Sequence, residues 1–143
     1  MQDRTDKPPR NPGNEFVSTY RSSETLTVDA SFAWVDAIFS DFWRKIIDAP
    51  LNRVFARPKP ERLQPGLYRQ VKGGKHDRVE TTIRLRPAGP KTEVTYERVW
   101  HTPFPLGPLG RPLVRRGWSS LFHTWHRALQ NYVRQRAHGE VRT

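Results

Sequence analysis

The chain has 143 residues and a formal charge of +11, from 25 Lys and Arg against 14 Asp and Glu; only 35% of it is hydrophobic, yet it holds 7 Phe, 5 Trp and 4 Tyr. This length suits one domain, the aromatic content excludes disorder throughout, and the lack of cysteine excludes disulfides, thiolate zinc sites and a cysteine nucleophile. No apolar run approaches the ~20 residues that span a bilayer, and Met1 to Asn14 hold no apolar secretory stretch, so a cytoplasmic protein is expected.

Residues 1–15, with Pro8, Pro9, Pro12 and Gly13, read as a disordered leader. Phe16 to Asp29 reads as the first strand, carried by Val17, Tyr20, Leu26 and Val28, with Ser22-Ser23 expected to mark a break or bulge. Ser31 to Ile47 is helical by pattern, because Phe32, Val35, Phe39 and Phe42 recur at steps of three and four. Asp29 and Ser31 both suit an N-cap. Ser40-Asp41 is expected to split this stretch into two short helices, and Pro50 ends it.

Strands are expected over Asn52–Arg57 and Gly66–Lys72, flanking a crossing that holds Pro58, Pro60 and Pro65. Gly73-Gly74 is a turn. In Arg78–Arg86 the residues Val79, Thr81, Ile83 and Leu85 face one way, and Glu80, Thr82, Arg84 and Arg86 the other. Pro87 to Lys91 reads as a hairpin loop. Thr92–His101 alternates again, with Val94, Tyr96, Arg98 and Trp100 on one face. These two strands form an antiparallel pair with one wet face.

Thr102–Pro112 is a proline-rich loop, and Pro112 falls in the first turn of the last helix, where its missing N–H costs nothing. That helix is expected to run to about Ala137, leaving 138–143 as a tail. Trp118, Leu121, Phe122, Trp125, Leu129, Tyr132 and Val133 form one stripe along it, opposite Arg116, His123, Arg127, Gln130 and Arg134. A stripe of that size must dock on the sheet. There is no internal repeat.

The charge is uneven: net zero over 1–15, −2 over 16–50, +7 over 51–101 and +6 over 102–143. This implies a folded basic surface, attractive to nucleic acid, an anionic lipid surface or an acidic ligand. Nineteen of the 25 basic residues are Arg, a usage that a GC-rich genome also produces.

The order of strand, short helical stretch, antiparallel strands and long C-terminal helix resembles the START-like, or SRPBCC, superfamily, which includes the polyketide cyclases. Three segments carry the likeness: Leu26-Thr-Val-Asp-Ala-Ser-Phe-Ala-Trp-Val-Asp-Ala-Ile-Phe-Ser-Asp-Phe-Trp43, Thr92-Glu-Val-Thr-Tyr-Glu-Arg98 and Pro105-Leu-Gly-Pro-Leu-Gly-Arg-Pro-Leu113. It spans roughly residues 16–137, and it departs from the family in having five strands placed where six or seven are usual. The resemblance implies an α+β helix-grip fold, a curved antiparallel sheet wrapped around the last helix with a hydrophobic ligand cavity between them. The wall would include Trp118, Phe122 and Trp125 from the helix and Ile83, Leu85, Val94, Tyr96 and Trp100 from the strands.

These aromatic and aliphatic faces equally describe a filled core. Arg98 suits an anchor for a ligand carboxylate or enolate, or a strand-end residue reaching solvent. Arg111, Arg115 and Arg116 crowd a helix start, where positive charge opposes the macrodipole; an anion site there is one reading, a solvated face the other. His123 and His126 have no Asp or Glu between residues 98 and 139 to complete a ligand set, so neither a metal nor a cofactor is expected. His126 at the pocket margin is a candidate acid/base, while His76-Asp77 reads as a polar turn. The first functional expectation is a binding protein for a small hydrophobic ligand (lipid, polyketide or aromatic metabolite). The alternatives are a cyclase or dehydratase of polyketide type, for which no convincing catalytic constellation stands out, and a charge-driven binder of nucleic acid or membrane surfaces. The inward-facing aromatics disfavour nucleic acid.

Overall fold

The computed structural model describes residues 18–47, 60–74, 76–105 and 107–142. The leader and the strand expected over Asn52–Arg57 lie outside the described residues. Five strands are described: β1 (Ser18–Val28), β2 (Glu61–Gln64), β3 (Leu67–Gly73), β4 (Arg78–Ala88) and β5 (Lys91–Thr102). They form one antiparallel sheet in the order β1-β5-β4-β3-β2. Helix α1 (Phe32–Phe42) runs directly into a π-helical turn over Trp43–Ile47, and helix α2 spans Gly110–Arg142. This is the expected α+β helix-grip architecture.

Several local expectations change. Strand β1 holds unbroken register with β5, and Ser22 and Ser23 face Arg98 and Glu97 in step. Two adjacent serines simply place one hydroxyl on each face; the irregularity of the sheet lies instead between Arg62 and Gln64. Strand β2 falls inside the proline-rich crossing. The hairpin loop shrinks to Gly89-Pro90, because Pro87 pairs with Thr92 and Ala88 with Lys91. Gly89 supplies the positive φ of 65° that so tight a turn needs. Pro87 is tolerated because β3 stops pairing with β4 at Arg84, so no partner awaits its missing N–H on that side.

Ser31 is the N-cap of α1, its hydroxyl accepting from the Trp34 amide at 3.4 Å. The helix does not break at Ser40-Asp41. Asp41 is instead held in place, accepting from the Tyr132 hydroxyl at 2.7 Å and pairing with Lys45 at 3.2 Å. Helix α2 continues past Ala137 to Arg142, since a single Gly139 costs a helix only about 1 kcal/mol.

The core lies where α1 and α2 meet the concave face of the sheet. Val35, Phe39, Phe42 and Trp43 from the α1 segment pack with Tyr68, Ile83, Val94, Tyr96, Phe122 and Leu129, all without solvent exposure. Phe39 lies against Tyr68 with ring centroids 4.8 Å apart, and Phe42 lies 5.5 Å from Tyr132.

Asp36 fastens α1 to the β2–β3 hairpin. Its carboxylate accepts from Arg62 at 2.6 Å, from the Tyr68 hydroxyl at 2.5 Å and from the Gly66 amide at 3.0 Å. Burial alone would raise its pKa, but the bonds from Arg62, Tyr68 and Gly66 outweigh that and leave it lowered. The Tyr68 phenol is pushed up to about 12 by its own burial and by the neighbouring carboxylate.

Gly66 sits at φ 80°, and a Cβ there would meet the Leu85 carbonyl at 2.7 Å and the Phe32 ring at 2.8 Å. Gly66→Ala should therefore destabilise the fold by about 1–3 kcal/mol, and Asp36→Asn, which surrenders the charge facing Arg62, by about 1–3 kcal/mol. Urea unfolding of each variant measures both; a midpoint unchanged from wild type would contradict the role given to that residue.

Candidate functional site

Three groups of residues bear on function: two lie between the concave face of the sheet and α2, and the third surrounds the start of α2. The first is centred on Arg98. Alternation along β5 turns Arg98 inward with Val94 and Tyr96, and its Nε donates to the Thr81 hydroxyl of β4 at 3.2 Å. Its guanidinium carbon lies 5.8 Å from the ring centroids of both Trp118 and Trp125 on α2. Arg98, Trp100, Trp118 and Trp125 are half-buried. The Trp100 indole donates to Asp77 in the β3–β4 turn at 2.5 Å, and its ring tilts against Tyr20 at 5.8 Å. The pair His76-Asp77 thus contributes one orienting carboxylate. Gln70 of β3 is buried on the same face; it is readable from its two-residue spacing to Tyr68, but sequence reasoning passed over it.

The other expected wall residues behave differently. Ile83, Val94, Tyr96 and Phe122 have no accessible surface, and Leu85 is 4% exposed. They are closed against protein atoms, with Tyr96 stacked on Phe122 at 5.8 Å. The nine expected site residues therefore split into a packed floor of five and a more open set of four around Arg98.

The second group is the Tyr96–His126 pair. His126 is not marginal but buried, 6% exposed. Its Nε2 lies 2.7 Å from the Thr27 carbonyl of β1, an acceptor that requires a proton on Nε2. Neutral Nδ1 then accepts the Tyr96 hydroxyl at 2.9 Å. Burial lowers the His126 pKa, the Thr27 bond partly offsets this, and the charge of His123 lowers it further. Burial pushes the Tyr96 phenol up. The pair is a neutral link joining β1, β5 and α2.

The third group lies at the start of α2. Arg111 stacks over the Tyr20 ring at 4.6 Å. Arg111 and Arg115 border a cleft of about 50 Å³ with Tyr20 and Ser22, and Arg115 also borders a shallower one of about 350 Å³ running past Ser23 and Ser119. Arg116 does not join them and points away on the exposed side. Among the described residues, no carboxylate pairs with any of these three. Several arginines of the sheet are matched: Arg21 with Glu97, Arg69 with Glu80, Arg86 with Glu93 and Arg62 with Asp36. His123 pairs with Glu24 of β1 at 3.0 Å. Among the described residues, no group of three or more His, Asp or Glu is placed to hold a metal ion, and no helix is long and apolar enough to cross a membrane.

Sheet topology, the two helices and the grip of the sheet on α2 define a START-like, or SRPBCC-like, fold. Solved structures that share it include a START superfamily protein from Mycobacterium smegmatis, with a TM-score of 0.58 and 17% identity over 81% of this chain and 98% of that one. Another is norcoclaurine synthase from Thalictrum flavum, solved in complex with dopamine and hydroxybenzaldehyde, with a TM-score of 0.52 and 15% identity over 90% of this chain and 95% of that one. No protein-family model matches the sequence, and no curated protein does.

The His126 geometry fixes a pH dependence. Folding disfavours the imidazolium, so the unfolded chain takes up the proton first as pH falls. The stability that neutral His126 contributes is complete above the ordinary histidine value near 6.5 and is lost as pH falls from there through the lowered folded value. Thermal unfolding across this window should show Tm falling in wild type and a flatter profile in His126→Gln, whose amide can serve the same donor and acceptor. Parallel profiles would contradict the assignment, since His101 and His123 remain in both proteins.

Proposed function

We propose that the protein binds a small hydrophobic ligand carrying an acidic head, in the space between the sheet and the first half of α2. Arg98, set between two indoles on the inward face, is the observation that supports this. A guanidinium is planar, permanently charged and built for bidentate contact with a carboxylate, enolate or phenolate. Trp118 and Trp125 offer apolar, polarizable faces to an aromatic or lipid body, and Trp100 borders the same end. The residues that pack closed (Ile83, Leu85, Val94, Tyr96 and Phe122) serve as the floor, reached by a ligand only if helix and sheet separate.

The Tyr96–His126 pair favours binding over polyketide-type cyclisation or dehydration. Both groups are closed to solvent and committed to each other and to Thr27, so neither is presented for proton transfer to a bound molecule.

Native mass spectrometry of gently purified protein should find an apolar small molecule bound. The fluorescent sulfonate anilinonaphthalene sulfonate should bind the emptied protein at one saturable site. Arg98→Gln should weaken that binding about tenfold, the scale of one lost charge-assisted bond, with Arg98→Lys intermediate. A folded wild type with no saturable binding, or an Arg98→Gln protein that binds as wild type does, would contradict the reading.

A further inference from the structure

The start of α2 carries an exposed apolar surface that the ligand reading does not use. Among the described residues, Phe104, Leu109 and Leu113 are the most exposed large hydrophobics, at 65%, 79% and 66%. All three fall within ten residues of sequence. Leu109 closes the turn that leads into the helix, and Leu113 follows four residues later, so both share one side, with Arg116 seven residues beyond Leu109. That side is opposite the stripe of Trp118, Phe122, Trp125 and Leu129, which faces the sheet.

Local features constrain the residues on either side of this surface. Pro103, Pro105, Pro108 and Pro112 restrict the backbone of this segment. The Phe104 amide donates to the Thr102 hydroxyl at 3.2 Å, and the Gly110 amide to the Gly107 carbonyl at 2.9 Å. Exposing apolar side chains to water is unfavourable, and nothing in the chain's own described fold covers them.

The charge around this surface has one sign. Arg116 stands beside the leucines, and Arg111 and Arg115 flank the helix on the side of the 50 Å³ cleft. No acidic residue occurs in the sequence between Arg98 and Glu140. Glu24 of β1, which lines the wider cleft with Arg115, is occupied by His123, and Glu97 of β5 by Arg21.

From this juxtaposition we infer that the loop before α2 and its first turns dock on an anionic lipid bilayer, with Phe104, Leu109 and Leu113 entering the interface and Arg111, Arg115 and Arg116 meeting lipid phosphates. Apolar anchors combined with a basic belt are what interfacial binding needs, since neither term alone holds a small protein firmly. Nucleic acid would call for several aromatic stacking faces interleaved with the arginines, where this surface offers one phenylalanine and two leucines. The inference goes beyond the ligand reading and stands without it.

The test is flotation of the full chain with phosphatidylcholine vesicles, with and without phosphatidylserine. Wild type should bind the phosphatidylserine vesicles, bind phosphatidylcholine alone weakly, and release as salt rises. The triple variant Phe104→Ser, Leu109→Ser, Leu113→Ser should lose affinity by about tenfold or more. Changing Arg111, Arg115 and Arg116 to Gln should cost about a hundredfold, at about fivefold per arginine. Circular dichroism and Tm of the serine variant should match wild type, and its anilinonaphthalene sulfonate titration should be unchanged, which separates this result from the fate of the ligand reading. Equal binding to both vesicle types, undiminished binding by the serine variant, or duplex DNA binding through the same arginines without vesicle binding would each overturn the inference.

Discussion

Eleven consecutive residue pairs join β1 to β5, the first described strand to the last. Because side chains alternate strictly along a strand, this register decides what β1 offers to α2. Tyr20 is turned to lie under Arg111, and the Thr27 carbonyl is left within reach of His126. At the far end, the Thr92 hydroxyl of β5 donates to the Ala30 carbonyl at 2.7 Å, which fixes the chain's entry into α1. A slip of one residue would turn Tyr20, Leu26 and Val28 outward and remove all three relations together. The pairing thus positions both helices, and the Asp36 clamp then holds α1 to the opposite edge of the sheet.

Polar groups mark where the layers meet and are spent differently in different places. On the convex face, arginines and glutamates of neighbouring strands face each other across the ladder, a modest contribution at exposed sites. Between β5 and α2, Tyr96 and His126 satisfy each other as neutral groups. Arg98 on the concave face is a cation held beside two rings, where the attraction of a guanidinium to an aromatic face strengthens as water is withdrawn. Among the described residues, most arginines of the sheet are compensated by a carboxylate, and those at the start of α2 are not.

Much of this was legible in the sequence for a simple physical reason: strong periodicity. The alternation of Arg78–Arg86 and Thr92–His101 placed β4 and β5 and turned Arg98 inward, and the stripe from Trp118 to Val133 gave α2 its buried face. Strand β2 was not placed because it is four residues long and exposed throughout, with no alternation to read. Ser22-Ser23 misled because composition suggested a break where geometry required none. The Asp36 clamp and the Tyr96–His126 pair were hidden because each joins residues 26 or more positions apart, and nothing local distinguishes a carboxylate or imidazole that will find a distant donor or acceptor. Which wall residues pack closed and which stay accessible is likewise set by three-dimensional filling, to which a hydrophobic pattern is blind.

The β1–β5 pairing also orders events during synthesis. Strands β4 and β5 are joined by two residues and can zip together as soon as both are available. Strand β1 leaves the ribosome long before its partner: Thr25 bonds Thr95, 70 positions later. At translation rates of about 5–20 residues per second, that interval is roughly 4–14 s. Throughout it, β1 has no edge to join and α1 has no sheet to cover its phenylalanines. The alternation of Arg21, Ser23, Thr25 and Thr27 along the outer face of β1 keeps that waiting strand half polar, a protection against pairing with the wrong edge before the right one exists.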